Sequence, residues 1–404
     1  MDRTILHCDC NSFFASVETV LNPSYKDVPM AVCGSQEDRH GIVLAKNDAA
    51  KKYGILTAET VYSAKKKCPS LVIASPHYEE YVRFSKMINA IYADYTDCIE
   101  SFGIDESWLD VSASRRFFGS GEEIAETIRK RVKAEIGVTV SIGVSFNKVF
   151  AKLASDYKKP DAVTLISRDN FKQIAFPLPA SDLLFVGKRT AEALLKMGIK
   201  TIGDLANSSK EMLRYRLGKT GEMIWEYANG LDDSPVGSHE NTDVKSISNG
   251  FTFRHDLVTR EDCRIGIDFL CEEIGHKLRS KSLKCSTVAI TIKDASLKSI
   301  QRQRSMKNAS DISREIAALA YEILCDEWVE SMPIRMLTVT ATGLINSSNS
   351  YTQLDLFSYV NEDNREKAKK REEMIDEIRK RFGDSSISSA VFYDTDIGVG
   401  VKKS

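Results

Sequence analysis

Hydrophobic and polar positions change period several times along the chain, and each change predicts an element. Residues 4–10 (Thr-Ile-Leu-His-Cys-Asp-Cys) form a nearly unbroken apolar run too short for a helix, which predicts a buried strand. Asn11 or Ser12 then stands where a helix N-cap belongs, ahead of apolar positions Phe13, Val17, Val20 and Leu21 at helical spacing. Pro23 and Pro29 bracket a loop before a strand at Met30–Cys33. Residues 45–53 and 59–67 carry helical patterns separated by Gly54, and Pro69 stops the second. Tyr78–Tyr95 predicts a longer helix with Tyr81, Phe84, Met87, Ile88 and Ile91 on one face. Ile99–Gly103, Ile104–Ser107 and Trp108–Val111 read as a β-hairpin with Asp105 and Glu106 at or near its turn. A helix over Glu122–Ile136, a strand over Val138–Val144 and a helix over Phe150–Asp156 follow, the last running toward Lys158-Lys159-Pro160. Strands alternating with helices, antiparallel in places, predict an α+β fold rather than a doubly wound sheet.

Pro177 and Pro179 mark a boundary, after which residues 181–230 read as short helices with glycine turns. The stretch 231–245 has the composition of a linker. From Ser246 the pattern restarts as strand, helix Arg260–Ser280, strands Thr287–Lys293 and Arg302–Ser305, helix Ile312–Trp328 and strand Ile334–Thr342, a small sandwich with one helical layer. Ser347-Ser348-Asn349-Ser350 reads as a flexible tether, and Asn364–Phe382 as a charged helix closed by Gly383.

A chain of 404 residues is too long for one core, so several domains are expected. No apolar run is long enough to cross a bilayer, and Met1-Asp2-Arg3-Thr4 does not begin a signal peptide, so a cytoplasmic location is expected. Nine cysteines are scattered without zinc-ribbon spacing; Cys8 and Cys10, which flank Asp9, are better explained by strand packing than by metal binding. The net charge of −1 conceals segregation. Between His276 and Lys307 lie Lys277, Arg279, Lys281, Lys284, Lys293, Lys298, Arg302, Arg304 and Lys307, against the single acid Asp294. Such a stripe suits a nucleic-acid backbone and equally suits an ordinary solvated face.

The chemistry-bearing pattern is Asp9, in an otherwise apolar strand, together with the adjacent pair Asp105 and Glu106 on a hairpin. Phosphoryl transfer to a sugar hydroxyl needs hard oxygen ligands converging on two Mg²⁺ ions, and carboxylates on neighbouring strands can supply them. Neighbouring acids at a turn are also commonly solvated, and Asp at a strand end commonly caps the next helix. On the residues alone both readings stand; an Asp in a buried strand is costly without a partner.

Three segments carry a resemblance. Asp9-Cys10-Asn11-Ser12-Phe13-Phe14-Ala15-Ser16-Val17-Glu18, Gly103-Ile104-Asp105-Glu106-Ser107-Trp108-Leu109-Asp110-Val111, and the run from Gly143-Val144-Ser145-Phe146-Asn147-Lys148 through Ala151-Lys152-Leu153-Ala154-Ser155 resemble, in order and spacing, the Y-family DNA polymerases of the bacterial polymerase IV and polymerase V type. The resemblance covers nearly the whole chain. It implies an α+β multidomain right-hand polymerase: a palm (1–180) with inserted fingers (about 25–78), a helical thumb (181–232), a linker (233–245), an α/β little finger (246–345) and a tail (346–404). It also implies template-directed, low-fidelity addition of dNTPs to a primer on damaged DNA. Asp9 and Asp105 would then bridge two Mg²⁺ ions, Glu106 would hold the ion that activates the primer hydroxyl, and the backbone carbonyl of Cys10 would complete the nucleotide-side ion. Phe14 would be the steric gate against a ribose 2′-hydroxyl, with Ser12 and Phe13 beside it and Lys51 and Lys159 on the triphosphate.

This sequence departs from the family in its fingers, where Ala45, Asp48 and Lys51 replace the Thr, Tyr and Arg that many members place on the triphosphate. Lys51 offers a point charge without a bidentate grip. Asn11 replaces an aspartate of many polymerase IV sequences. Gly187, Lys188 and Arg189 sit in a helix-hairpin-helix-like turn in which Phe185 stands at the usual first glycine, and are expected on DNA phosphates with Lys277, Arg279, Lys281, Arg302 and Arg304. Gln353-Leu354-Asp355-Leu356-Phe357 resembles a bacterial sliding-clamp-binding peptide, anchored through Gln353, Leu354, Leu356 and Phe357. A monomer is expected. Other palm-type nucleotidyl transferases and a catalytically silent DNA-binding repair factor are the competing readings.

Overall fold

The apolar run at the start of the chain becomes the central strand of a sheet, and helices packed against both faces of that sheet explain why it is buried on both. The structure is a computed structural model and describes residues 3–35, 39, 41–237, 244–329, 332–349, 359–393 and 395–400. Two compact units divide the chain: Met1–Gly34 with Ile42–Asn241, and Ser35–Gly41 with Thr242–Ser404.

In the first unit, β1 (Ile5–Cys10) is buried at every position and leads into α1 (Phe13–Leu21). A three-stranded sheet follows, made of β2 (Met30–Cys33), β3 (Val43–Lys46) and, beyond α2 (Asp48–Lys51) and α3 (Val61–Lys67), β4 (Val72–Ala74). Its order is β3-β2-β4. Helix α4 (Tyr78–Ala93) returns the chain to the hairpin of β5 (Ile99–Ser101) and β6 (Glu106–Asp110). Then come α5 (Arg115–Phe118), α6 (Gly121–Arg131), β7 (Val140–Ser145), α7 (Lys148–Tyr157) and β8 (Val163–Ile166). The main sheet has the order β5-β6-β1-β7-β8, antiparallel except for the β7–β8 pair. Its Leu6, Cys8 and Cys10 enter a core with Phe84, Ile88 and Ile124 from α4 and α6, whereas Ile5 packs with Trp108 and Ala151 on the α7 side. Helix α8 (Phe171–Ala175) comes before the glycine-punctuated segment, and α9 (Lys188–Lys196), α10 (Ile202–Ala206), α11 (Lys210–Leu217) and α12 (Lys219–Ala228) form the helical array read from it.

Two local expectations are corrected. Ala45 and Lys46 are strand rather than helix, because they pair with Val32 and Ala31; helix begins only after Asn47, whose side chain caps it by accepting from Ala50 N at 2.9 Å. Neither Asn11 nor Ser12 caps α1 with its side chain. Ser12 instead adopts the left-handed conformation (φ 51°, ψ 43°), and the Asn11 amide is occupied by Thr139 (3.1 Å) and Ser141 (2.9 Å). The short strand β8, which joins the sheet in parallel beside β7, carries too brief a pattern to be read from the sequence.

The second unit is a four-stranded antiparallel sheet covered on one face by helices. Its elements are β9 (Ser246–Leu257), α13 (Arg260–Ser280), β10 (Leu283–Asp294), β11 (Ser299–Ser310), α14 (Ser313–Glu327) and β12 (Ile334–Asn346), with sheet order β11-β10-β12-β9. Ile267, Leu270 and Ile274 of α13 and Ile316 and Ile323 of α14 pack on Val288, Ile290 and Val339 of the sheet. The expected tether turns at Ser347–Asn349 as a short 3₁₀ segment, tied back by Ser347 N and Oγ to the Ser282 carbonyl at 2.9 Å. Helix α15 (Tyr359–Phe382) starts five residues before the expected Asn364. It packs on the helical layer through Glu372 and Asp376, and Phe392 and Ile397 beyond it enter the same core. No helix among the described residues is long and apolar enough to cross a membrane.

Candidate active site

Register places the acids. Strand β1 runs between β6 and β7 with Asp9 opposite Glu106 on one side and Ser141 on the other. Asp105 occupies the hairpin turn just before β6, and its carbonyl accepts from Cys10 N at 3.0 Å, lacing the turn to the strand exit. Side chains alternate along a strand, so His7 and Asp9 share the face that Cys8 and Cys10 do not. Beyond Cys10, the left-handed turn at Ser12 sends Phe13 into the core (3 % exposed) and leaves Phe14 half-buried.

A cleft of about 280 Å³ opens here. Asp9, Cys10, Asp105 and Glu106 line its floor, Ser12, Phe13 and Phe14 one wall, and Ala45, Lys46 and Lys51 another. Ligand atoms of His7, Asp9 and Glu106 lie within 4.8 Å of one another; Asp105 is outside that trio but lines the same cleft. The Lys159 amine sits 2.7 Å from Asp9 and 2.6 Å from Asp156. Lys51 pairs with Asp48 at 2.8 Å, which gives Asp48 a role as its partner, and Lys46 donates to the Thr57 hydroxyl at 3.0 Å.

The carboxylates are tuned apart. Burial pushes Asp9 up to about 6 against the opposing pull of Lys159, and burial followed by the neighbouring Glu106 charge raises Asp105. Burial would also raise Glu106, but His7 and Lys152 reverse the effect and hold it at about 2. Lys152 makes the direct ion pair with Glu106, whereas His7 Nε2 approaches the same oxygen at 3.3 Å without hydrogen-bond geometry, so Lys152 is the stronger influence. Burial lowers His7 to about 4 and keeps it neutral, its Nδ1 lying 2.8 Å from Ser155 Oγ. Burial opposes the charge on Lys159, and Asp9 and Asp156 override it to leave that amine above its ordinary value.

His7, Lys152 and Lys46 received no role from sequence reasoning. For His7 the available signal was its period-two spacing from Asp9 on a buried strand. Lys152 reaches the acids only because α7 packs across β1 and β7, a tertiary contact that spacing does not encode.

The residues read as DNA contacts are dispersed. Gly187 precedes α9, with Lys188 and Arg189 exposed in its first turn, and Phe185 holds a positive φ (66°) where a glycine was expected. In the second unit, Lys277 pairs with Glu273 (3.1 Å), Arg302 with Glu327 (3.1 Å) and Arg304 with Asp326 (2.7 Å), while Lys281 is exposed. Arg279 departs from the expectation. Its side chain is 11 % exposed and its guanidinium is paired with Glu372 and Asp376 of α15, which removes it from the surface. Gln353–Phe357 lies outside the described residues.

The fold is that of a Y-family DNA polymerase: a solved chimera of that family, built from Dbh and Dpo4, superposes with a TM-score of 0.76 at 23% identity, covering 85% of this chain and 99% of its own. DNA polymerase IV of Acetivibrio thermocellus is 50% identical over 97% of this chain and 98% of that protein, and DNA polymerase IV of Clostridium kluyveri 37% over 96% and 98%. DNA polymerase IV 1 of Bacillus subtilis is 33% identical over 94% and 91%. Residues 8–156 match the impB/mucB/samB family, residues 244–356 its C-terminal domain, and residues 181–232 the thumb domain of DNA polymerase-iota. The chain therefore belongs to the impB/mucB/samB family and, with it, to the Y-family DNA polymerases.

Proposed function

We propose that this member of the Y-family DNA polymerases extends a primer 3′-hydroxyl with dNTPs by two-metal phosphoryl transfer, and serves low-fidelity synthesis across damaged template. The observation that carries the reading is the gathering of Asp9, Asp105 and Glu106 on the floor of one cleft whose walls hold Phe14 and Lys51. The donor set fits Mg²⁺: carboxylate oxygens and the Cys10 carbonyl are hard ligands, and the burial that raises Asp9 and Asp105 is a cost to their charged forms that a bound cation would offset. When bound, two Mg²⁺ ions would neutralise the polyphosphate and lower the pKa of the primer hydroxyl. Asp9 and Asp105 would hold both ions and Glu106 the one on the primer side.

The chain's own residues do the rest. Lys159, already seated on Asp9, supplies fixed positive charge beside the acids, and Lys46 and Lys51 extend it along the fingers wall. Phe14, flanked by Ser12 and Phe13, presents a ring where the sugar would lie and excludes a 2′-hydroxyl. Residues 1–180 serve as palm and fingers, 181–232 as thumb and 246–345 as little finger. Gly187, Lys188, Arg189, Lys277, Lys281, Arg302 and Arg304 follow the DNA backbone, and the chain acts as a cytoplasmic monomer that reaches the sliding clamp through Gln353–Phe357. Primer extension with Mg²⁺ and either dNTPs or rNTPs tests the reading. Templated dNTP addition is expected, with rNTPs rejected; no addition at any Mg²⁺ concentration overturns it.

A further inference from the structure

We propose that Glu18 is a positioning residue for sugar selection: it anchors Tyr81, and Tyr81 fixes the plane of the Phe14 ring. The inference rests on reading Phe14 as the gate. Phe14 and Glu18 stand four residues apart on α1 and so share a face, which meets α4. Glu18 is 2 % exposed, and a carboxylate so buried requires donors. It has two: the Tyr81 hydroxyl donates to Oε1 at 2.5 Å, and His77 Nδ1 lies 2.9 Å from the same oxygen. The Tyr81 contact has the length of a charge-assisted O–H···O⁻ bond, stronger and more directional than a neutral one.

Tyr81 is itself fully buried, and its ring lies stacked on Phe14 with centroids 4.1 Å apart and planes 11° from parallel. Tyr78 meets Phe14 edge-on at 6.0 Å and 85°. The gate ring therefore rests on a plate whose far end is tied to a buried charge.

This backing has a consequence for selectivity. A phenylalanine free to swing by some 30° yields at a cost of only about ten-fold, so an unsupported ring makes a weak barrier to one hydroxyl group. A deoxyribose does not press on the ring and gains nothing from the support. Loss of the anchor should thus appear in ribonucleotide use and spare deoxynucleotide use.

The test is single-nucleotide incorporation by the full chain, reading kcat/KM for an rNTP against the matching dNTP in Tyr81→Phe, Glu18→Gln, Phe14→Ala and Phe14→Ala with Glu18→Gln. Tyr81→Phe keeps the stacked ring and removes only the hydroxyl, so it carries the test should Glu18→Gln fold poorly. Each anchor variant is expected to raise the rNTP/dNTP ratio by roughly ten-fold while retaining most dNTP turnover, and Glu18→Gln is expected to add nothing once Phe14 is Ala. If Phe14→Ala relaxes sugar choice while both anchor variants leave the ratio unchanged, or lower both nucleotides equally, the anchor is refuted and the gate stands. If Phe14→Ala itself leaves the ratio unchanged, the gate falls and the anchor with it.

Discussion

Replacing Gly143 by Ala should distort the acid cluster from a distance. Gly143 lies in β7 directly opposite His7, and α7 crosses it so closely that an added Cβ would stand 1.9 Å from the Ala151 carbonyl oxygen and 2.4 Å from Ser155 N. Both are backbone atoms, so no rotamer change relieves the clash. Restoring a 3.4 Å contact from 1.9 Å requires α7 to withdraw by about 1.5 Å. Overpacking costs about 1–3 kcal/mol when side chains can yield; against backbone the upper end applies, about 3 kcal/mol, or roughly 6–12 °C in the melting temperature of a unit this size. The retreating helix carries Lys152 off Glu106 and Ser155 off His7. A displacement near 1 Å in such a site costs about 10²-fold in turnover. Thermal unfolding by circular dichroism and single-turnover primer extension on the folded protein measure the two effects. Gly221→Ala is the control, because its Cβ would meet the Leu213 carbonyl oxygen at 2.2 Å within the α11–α12 pair and should destabilise without slowing chemistry. Wild-type melting and wild-type turnover in Gly143→Ala would refute the claim that α7 sets the geometry of the acids.

Asp105→Asn should reduce incorporation by at least about 10²-fold with primer–template binding intact; a parallel loss of binding would assign Asp105 to folding. Asp9, raised to about 6 from an ordinary 3.8, holds in the fold a proton that the unfolded chain releases, so its contribution favours the folded state at low pH and is lost as pH rises through that window. Cation binding needs the ionised form, and the Mg²⁺ concentration for half-activity should therefore rise as pH falls through about 6; equal midpoints at about pH 5.5 and about pH 7.5 would contradict the assignment. Glu372→Ala leaves Arg279 with Asp376 and the Asp311 carbonyl and takes the acceptor from Ser313 N, a loss of about 2–4 kcal/mol once the surviving partners are allowed for. Urea unfolding showing less than about 1 kcal/mol would mean that α15 is not integral to the second unit.

Polar residues in apolar settings were the legible part of this chain. Asp9 stands out because a buried strand has no ordinary use for a carboxylate, and Asp105 and Glu106 because a hairpin turn aims them back at that strand. Phe14 was not legible in the same way: at helical spacing with Phe13 it reads as core, and only the left-handed turn at Ser12 separates one ring from the other. Helix α13 was read at its observed limits since Thr259 caps it and a long apolar face defines it, whereas β3 is made by pairing with β2 and has no pattern of its own. Lys152 and Glu106 are separated by 46 residues and meet through α7, so their contact belongs to packing rather than to sequence.

The same distinction applies to charge. The run from Lys277 to Lys307 looks like a basic stripe broken only by Asp294 when written as a line, because the acids that answer it come from elsewhere in the chain. In the fold, Glu372 and Asp376 of α15 take Arg279, Glu327 and Asp326 of α14 take Arg302 and Arg304, and Glu273 takes Lys277 from one turn away. Arg279 is thereby converted from a surface cation into the buried post on which α15 is mounted. The pairs of Arg302, Arg304 and Lys277 lie at the surface, where an ion pair contributes at most about 1 kcal/mol, so a phosphate can compete for those side chains. It cannot compete for Arg279 without unseating a helix. Linear clustering thus reports which charges are near one another, and the strength with which each is already held decides which of them can turn to DNA.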